Sequence, residues 1–178
     1  MNKYRTHSIE NTIKETEKTP VTLCGWIHKV RNLGGVVFFD LRDRSGIIQI
    51  VLDQRIQHLA NNLKSEYVVQ VKGEIRKREN PNENMPTGKI EILANEINIL
   101  NQALTPAIPI AEEADVEEVT KLKYRYLDLR KPKNKQKFIL RHKITQVIRE
   151  YFNNNDFLDV ETPILTKSTP EGARDFLV

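Results

Sequence analysis

Residues 21–53, VTLCGWIHKVRNLGGVVFFDLRDRSGIIQIVLD, decide the fold. Runs rich in β-branched and aromatic residues (21–31, 36–43 and 47–53) are separated by Asn32-Leu33-Gly34-Gly35 and Arg44-Ser45-Gly46. Glycine tolerates positive φ without steric cost, so both separators read as turns and the three runs as a meander of antiparallel strands. Side chains alternate across a strand, which sorts the faces. Val37, Phe39 and Leu41 share one face, and Phe38 points away from it beside Asp40 and Arg42. Ile48, Ile50 and Leu52 share a face in the third run, leaving Gln49 opposite.

Working outward, RIQHLANNL (55–63) places Ile56, Leu59, Ala60 and Leu63 on one helical stripe. A fourth strand is expected over 67–78, with Val69, Val71 and Ile75 inward and Lys72, Arg76 and Arg78 outward. A fifth, at 88–100, follows the loop ENPNENMPTG (79–88). Three strands, a short helix and two strands is the order of a five-stranded OB barrel.

Beyond the barrel, residues 101–117 hold two prolines and no helical stripe, and read as a linker. Residues 117–130 read as a helix ending at Lys131-Pro132, because a residue before proline disfavours the α region. A long amphipathic helix is expected over 134–152, with Phe138, Arg141, Thr145, Ile148 and Phe152 on one stripe and an αL cap within Asn153-Asn154-Asn155. FLDVETPIL (157–165) alternates like a strand and is halted by Pro163; a loop with the turn Pro170-Glu171-Gly172 follows. The expected class is α+β. The expected organisation is a barrel domain over 1–104, a linker over 105–120, and the start of a second domain, helix plus strand, over 121–178.

Composition narrows the function classes. Apolar residues make up 39% and charged residues 29% of the 178, with no apolar run long enough to span a bilayer. The first twenty residues lack the apolar core of a signal peptide, so a cytoplasmic protein is expected. Cys24, the single cysteine, excludes an internal disulfide and a cysteine metal site. His7, His28, His58 and His142 show no metal-ligand spacing, and no metal site is assigned. Residues 121–149 carry eleven Lys or Arg against one acid, Asp128. Such a run points to a polyanion or, equally, to a solvated helix face.

Two groups of residues could carry chemistry. Arg31, Phe38, Gln49 and Arg78 decorate the outer face of the barrel. An aromatic ring stacks an unpaired base, an amide reads a base edge, and guanidinium groups grip phosphate or base edges. Parity alone leaves open whether Phe38 stacks a base or packs under a loop. Glu171, a carboxylate on a glycine-containing loop, could hold a ligand ammonium or simply be solvated.

The stretch CGWIHKVRNLGGVVFFDLRDRSGIIQIV and the terminal TPEGARDFLV resemble the bacterial aspartyl-tRNA synthetases, of the class II aminoacyl-tRNA synthetases. The resemblance covers the chain from Val21 onward. It implies that Arg31, Phe38, Gln49 and Arg78 contact a tRNA anticodon and that Glu171 contacts L-aspartate. It further implies that the long helix and the strand ending at Pro163 belong to a homodimer interface. The complete enzyme would use ATP and Mg²⁺ to make an aspartyl-adenylate, then charge aspartate tRNA, with asparagine tRNA as a further candidate. The family's later ATP-binding motifs are not within the 178 residues. The chain alone is therefore expected to bind none of these cofactors, to hold no catalytic residue and to be inactive. The alternative is a stand-alone OB-type RNA-binding module with a vestigial dimerisation element.

Overall fold

The computed structural model describes residues 4–33, 36–110 and 115–164. These group into two compact units, 1–131 and 132–178, taken separately below.

The first unit is built on five strands: β1 (Pro20–Leu33), β2 (Val36–Arg42), β3 (Ile47–Leu52), β4 (Val68–Lys77) and β5 (Ile90–Asn101). They close in the order β1-β2-β3-β5-β4 and back to β1. Every pairing is antiparallel except β3 with β5. The expected parity holds. Phe39, Leu41, Ile48, Ile50, Val69 and Val71 are wholly buried in the interior, with Ile75 nearly so. Gly73 sits where the β4–β5 register slips, and a Cβ there would meet the Leu93 carbonyl oxygen at 2.3 Å. Only glycine lets the two backbones approach this closely.

Several elements differ from expectation. The segment after β3 is a 3₁₀ helix, Gln54–Asn62, with no buried residue; Asp53 caps it by accepting a bond from the Arg55 N–H at 3.0 Å. A one-turn helix, α1 (Ile9–Thr12), had no periodic signal in the sequence, yet it drives Ile9 into the barrel core. Asn32 and Leu33 extend β1 rather than forming the turn, and the Gly34-Gly35 turn lies outside the described residues. The helix expected over 117–130 is broken into α2 (Glu118–Lys123) and α3 (Arg125–Asp128), because Tyr124 leaves the helical region at φ −110° and ψ 42°. The proline-containing stretch is anchored: Ile108 and Ile110 are buried with Leu127, against Val116 and Tyr124.

At the β1–β2 side of the barrel, Arg42 bonds both carboxylate oxygens of Glu66, at 3.0 and 2.8 Å. It also lies 2.9 Å from Nδ1 of His28. A guanidinium only donates, so Nδ1 must accept and the ring is neutral. Burial, with Arg42 next in effect, pushes the His28 pKa below its ordinary value. Glu66 adopts φ 66°, a conformation that is strained for a side chain with a Cβ and is held by its bonds.

The second unit is one long helix, α4 (Pro132–Asn153), and the segment after it. Proline opens the helix, where a missing N–H costs nothing. It closes in a Schellman motif. The Phe157 N–H reaches the Phe152 carbonyl at 3.1 Å, the Asp156 N–H reaches that of Asn153 at 3.2 Å, and the rings of Phe152 and Phe157 stand 5.5 Å apart. The αL residue is Asp156 (φ 64°), not one of the three asparagines. The strand expected to end at Pro163 is absent: residues 157–164 are exposed and pair with no other strand among the described residues. A strand needs a hydrogen-bonded neighbour, and alternation alone does not supply one.

Phe39 fills the centre of the barrel with no access to water. Phe39→Ala should therefore destabilise the first unit by about 3–5 kcal/mol, measured as a lower urea midpoint at unchanged m-value.

Candidate nucleic-acid interface

The strand register lines up a row of polar residues on the outside of the barrel. Asp40 of β2 stands opposite Gln49 of β3, Gln49 opposite Glu91 of β5, and Glu91 opposite Arg76 of β4. Each is the direct cross-strand neighbour of the next, so their side chains meet. Arg76 donates to Oε1 of Glu91 from Nε at 2.9 Å and from Nη2 at 2.6 Å. Gln49 donates from Nε2 to Oε2 of Glu91 at 2.7 Å. Both carboxylate oxygens are thus engaged, which is what lets Glu91 be only 4% exposed.

The other end of the Gln49 amide faces two guanidinium groups. Oε1 accepts from Nη2 of Arg78 at 3.0 Å and, more weakly, from Nη2 of Arg31 at 3.4 Å. Neither arginine can accept and the carboxylate can only accept, so the chemistry fixes which way the amide points. Arg31 also pairs with Asp40. Burial pushes the Asp40 carboxyl above its ordinary value, and the Arg31 charge opposes that push without cancelling it. One donor remains unused: Nε of Arg31 is buried with no partner among the described residues.

Phe38 lies beside this network, directly across from Arg31 on β1 and Val51 on β3. Its ring is half-buried while its neighbour Phe39 is wholly buried, so outward parity gives it access to solvent. Arg31, Phe38, Gln49 and Arg78 line one open cleft of about 600 Å³, together with Arg76, Glu91, Glu79 and Asn80. The four residues singled out in the sequence are therefore brought together. A cleft with an aromatic face, oriented amide and guanidinium donors, and an open mouth is suited to unpaired bases with their phosphates.

Sequence reasoning missed part of this site. Gln49 faces outward as expected but is only 7% exposed, because the guanidinium groups and Glu91 cover it. Arg76 and Glu91 were not singled out, because their alignment with Gln49 depends on the β3–β5 and β5–β4 registers, which the sequence does not display. Glu171 lies outside the described residues, and Pro163 is exposed. Among the described residues no three His, Cys, Asp or Glu side chains converge where a metal could be held. No described helix is long and apolar enough to cross a membrane.

The raised Asp40 pKa has a sign consequence. The folded state holds this proton more tightly than the unfolded chain, so the group's contribution to stability grows as pH falls toward its unfolded value and is lost on ionisation. Carboxyl NMR titration should place Asp40 above the ordinary carboxylate value. Arg31→Gln should raise it further, since the opposing charge is gone; a fall in that variant would contradict the balance described.

Comparison with known proteins is consistent with these features. A family described as OB-fold nucleic acid binding domain matches residues 21–100, and one described as tRNA synthetases class II (D, K and N) matches 117–178. An aspartate–tRNA ligase of Exiguobacterium sibiricum is 50% identical over 178 residues, covering 98% of this chain and 30% of the relative. One of Clostridium perfringens is 54% identical over 162 residues, covering 89% of this chain and 27% of the relative. Among solved structures, the aspartyl-tRNA synthetase of Entamoeba histolytica superposes with a TM-score of 0.80 at 19% identity, covering 96% of this chain and 42% of that one. The asparaginyl-tRNA synthetase of Pyrococcus horikoshii, complexed with asparaginyl-adenylate, gives 0.73 at 24%, covering 88% and 36%. At those identities the likeness concerns fold alone. The chain spans about 30% of the length of its sequence relatives. Over nearly its whole length, then, the chain is similar to bacterial aspartate–tRNA ligases, with residues 21–100 matching the OB-fold nucleic acid binding family and residues 117–178 the class II tRNA synthetase family.

Proposed function

We propose that this chain supplies anticodon recognition to an aspartate–tRNA ligase, and that the outer cleft of the barrel is the recognition site. The observation that carries this reading is the convergence of Arg31, Phe38, Gln49 and Arg78 on one open cleft with the Gln49 amide held in a single orientation. A base stacked on Phe38 would meet an amide and guanidinium groups at its edge, while Arg78 lies within reach of phosphate. The substrate is aspartate tRNA, with asparagine tRNA as a further candidate, and the location is the cytoplasm.

The remaining assignments are proposals of the same reading. Residues 1–104 form the anticodon-binding domain, 105–120 the linker and 121–178 the beginning of the catalytic domain. Glu171 contacts L-aspartate. ATP and Mg²⁺ serve the complete ligase, which joins aspartate to tRNA through an aspartyl-adenylate, and no described residue is assigned to either. Phe152 and Ile148 of α4 are about half exposed, at 47% and 51%. An apolar face of that kind supports a homodimer interface that includes Pro163.

Phe38→Ala should weaken binding of an aspartate anticodon stem-loop by about 1–3 kcal/mol with the barrel still folded. Arg78→Ala should weaken it and lower the slope of log K against log salt by about 0.7–0.9, one phosphate contact. Unchanged affinity in folded Phe38→Ala would reject the cleft as the site. The 178 residues alone should show no aspartate-dependent exchange of pyrophosphate into ATP; measurable exchange would reject the division of labour proposed here.

A further inference from the structure

Helix α4 carries its charge in an arrangement that an isolated helix would avoid. Residues 132–143 hold five Lys or Arg and no acid. Of these, Lys133, Lys137 and Arg141 follow one another at four-residue spacing, so they fall on one stripe with about 6 Å of rise between neighbours. The stripe changes character beyond Arg141: it continues through Ile144, Ile148 and Phe152, which are apolar. All three cations are exposed, and none has an ion-pair partner among the described residues. The helix's own ion pair, Arg149 with Asp159 at 2.9 Å, is at the other end.

Two electrostatic effects oppose this placement. The first turn of a helix, where Lys133 sits, carries the positive end of its dipole, which favours acids and disfavours cations. Like charges four residues apart also repel across one turn. The long helix has neither an acid to relieve its N-terminal half nor cations confined to its C-terminal end. A polyanion laid along the stripe would relieve both effects at once, and three cations in file match a run of backbone phosphates better than a single small anion.

We infer that the Lys133–Lys137–Arg141 stripe is a second RNA contact, one that grips the phosphodiester backbone without reading bases. The inference rests on the reading of this chain as a tRNA-binding protein. It favours RNA over an acidic lipid surface, because the same chain carries the cleft proposed above to stack bases.

The test measures affinity of the 178-residue chain for a full-length aspartate tRNA transcript across a salt series. The triple variant Lys133→Gln/Lys137→Gln/Arg141→Gln should lower the slope of log K against log salt by about 2–3, at 0.7–0.9 per phosphate contact, with at least a tenfold loss of affinity at low salt. Phe38→Ala should lower affinity at every salt concentration and keep the slope. The two ideas therefore fail separately: an unchanged slope in the triple variant overturns the stripe, and an unchanged affinity in Phe38→Ala overturns the cleft. The substitutions relieve like-charge repulsion at four-residue spacing and put a good helix former at each position, so helix content by circular dichroism should not fall. A charge-keeping Lys133→Arg/Lys137→Arg variant should retain the full slope; loss of slope there would mark a structural role and overturn the inference. Binding of wild type, but not of the triple variant, to phosphatidylcholine–phosphatidylserine vesicles with no change in the RNA slope would also overturn it, in favour of a lipid surface.

Discussion

Closure of the barrel is the constraint from which the rest of the first unit follows. Five strands that pair all the way round leave no free edge, so every strand side chain is committed either to the filled interior or to the outside. The interior is saturated with Phe39, Leu41, Ile48, Ile50 and their neighbours, each without access to water. Polar residues on the alternate positions cannot turn inward. They can only contact one another across the strands, and the register brings Asp40, Gln49, Glu91 and Arg76 into one row. The outer cleft is thus a by-product of packing on the opposite face.

Within that row the order is acid, amide, acid, base, which gives the site rigidity as well as charge. Gln49 would be a flexible amide on an open surface. Here Glu91 accepts from its nitrogen and Arg78 donates to its oxygen, so rotation of the amide would set acceptor against acceptor and donor against donor. An orientation held before a ligand arrives lowers the entropy lost on binding. The two acids in the row, Asp40 and Glu91, also offset part of the arginine charge, through pairs with Arg31 and Arg76.

The barrel was largely legible in the sequence because two short-range signals agree there: period-two alternation and glycine-bearing separators. The parity of Phe38 against Phe39, and of Gln49 against Ile48 and Ile50, came from that alternation and placed Phe38 and Gln49 on the outer face, where the structure has them. What stayed hidden depends on partners distant in sequence. The link from Gln49 to Glu91 spans 42 residues and exists only because β5 inserts between β3 and β4. Ile9 enters the core from a one-turn helix too short to show a period. The expectation of a strand at 157–163 failed for the complementary reason. Its pattern was present, but no described neighbour offers the backbone groups that would make it one. The break at Tyr124 is a tertiary effect as well, since Ile108 and Ile110 hold that segment through contacts that local propensity does not encode.

The single parallel pair in the barrel bears on how the chain is made. β3 and β5 are joined through Gln49 with Glu91 and Leu52 with Ala94, and β5 must also pair with β4 while β4 pairs with β1. β1, the first strand to be synthesised, therefore finds one of its two neighbours only after residue 68 and following have appeared, and the ring shuts only when β5 is complete. Until then the β1–β2–β3 meander has two unpaired edges and an apolar face with nothing to cover it. Such non-local pairing slows folding and exposes strand edges meanwhile. On a ribosome, the growing chain would carry this half-built sheet until Asn101 has cleared the exit tunnel, so the interval between β3 and β5 leaves two strand edges open to aggregation.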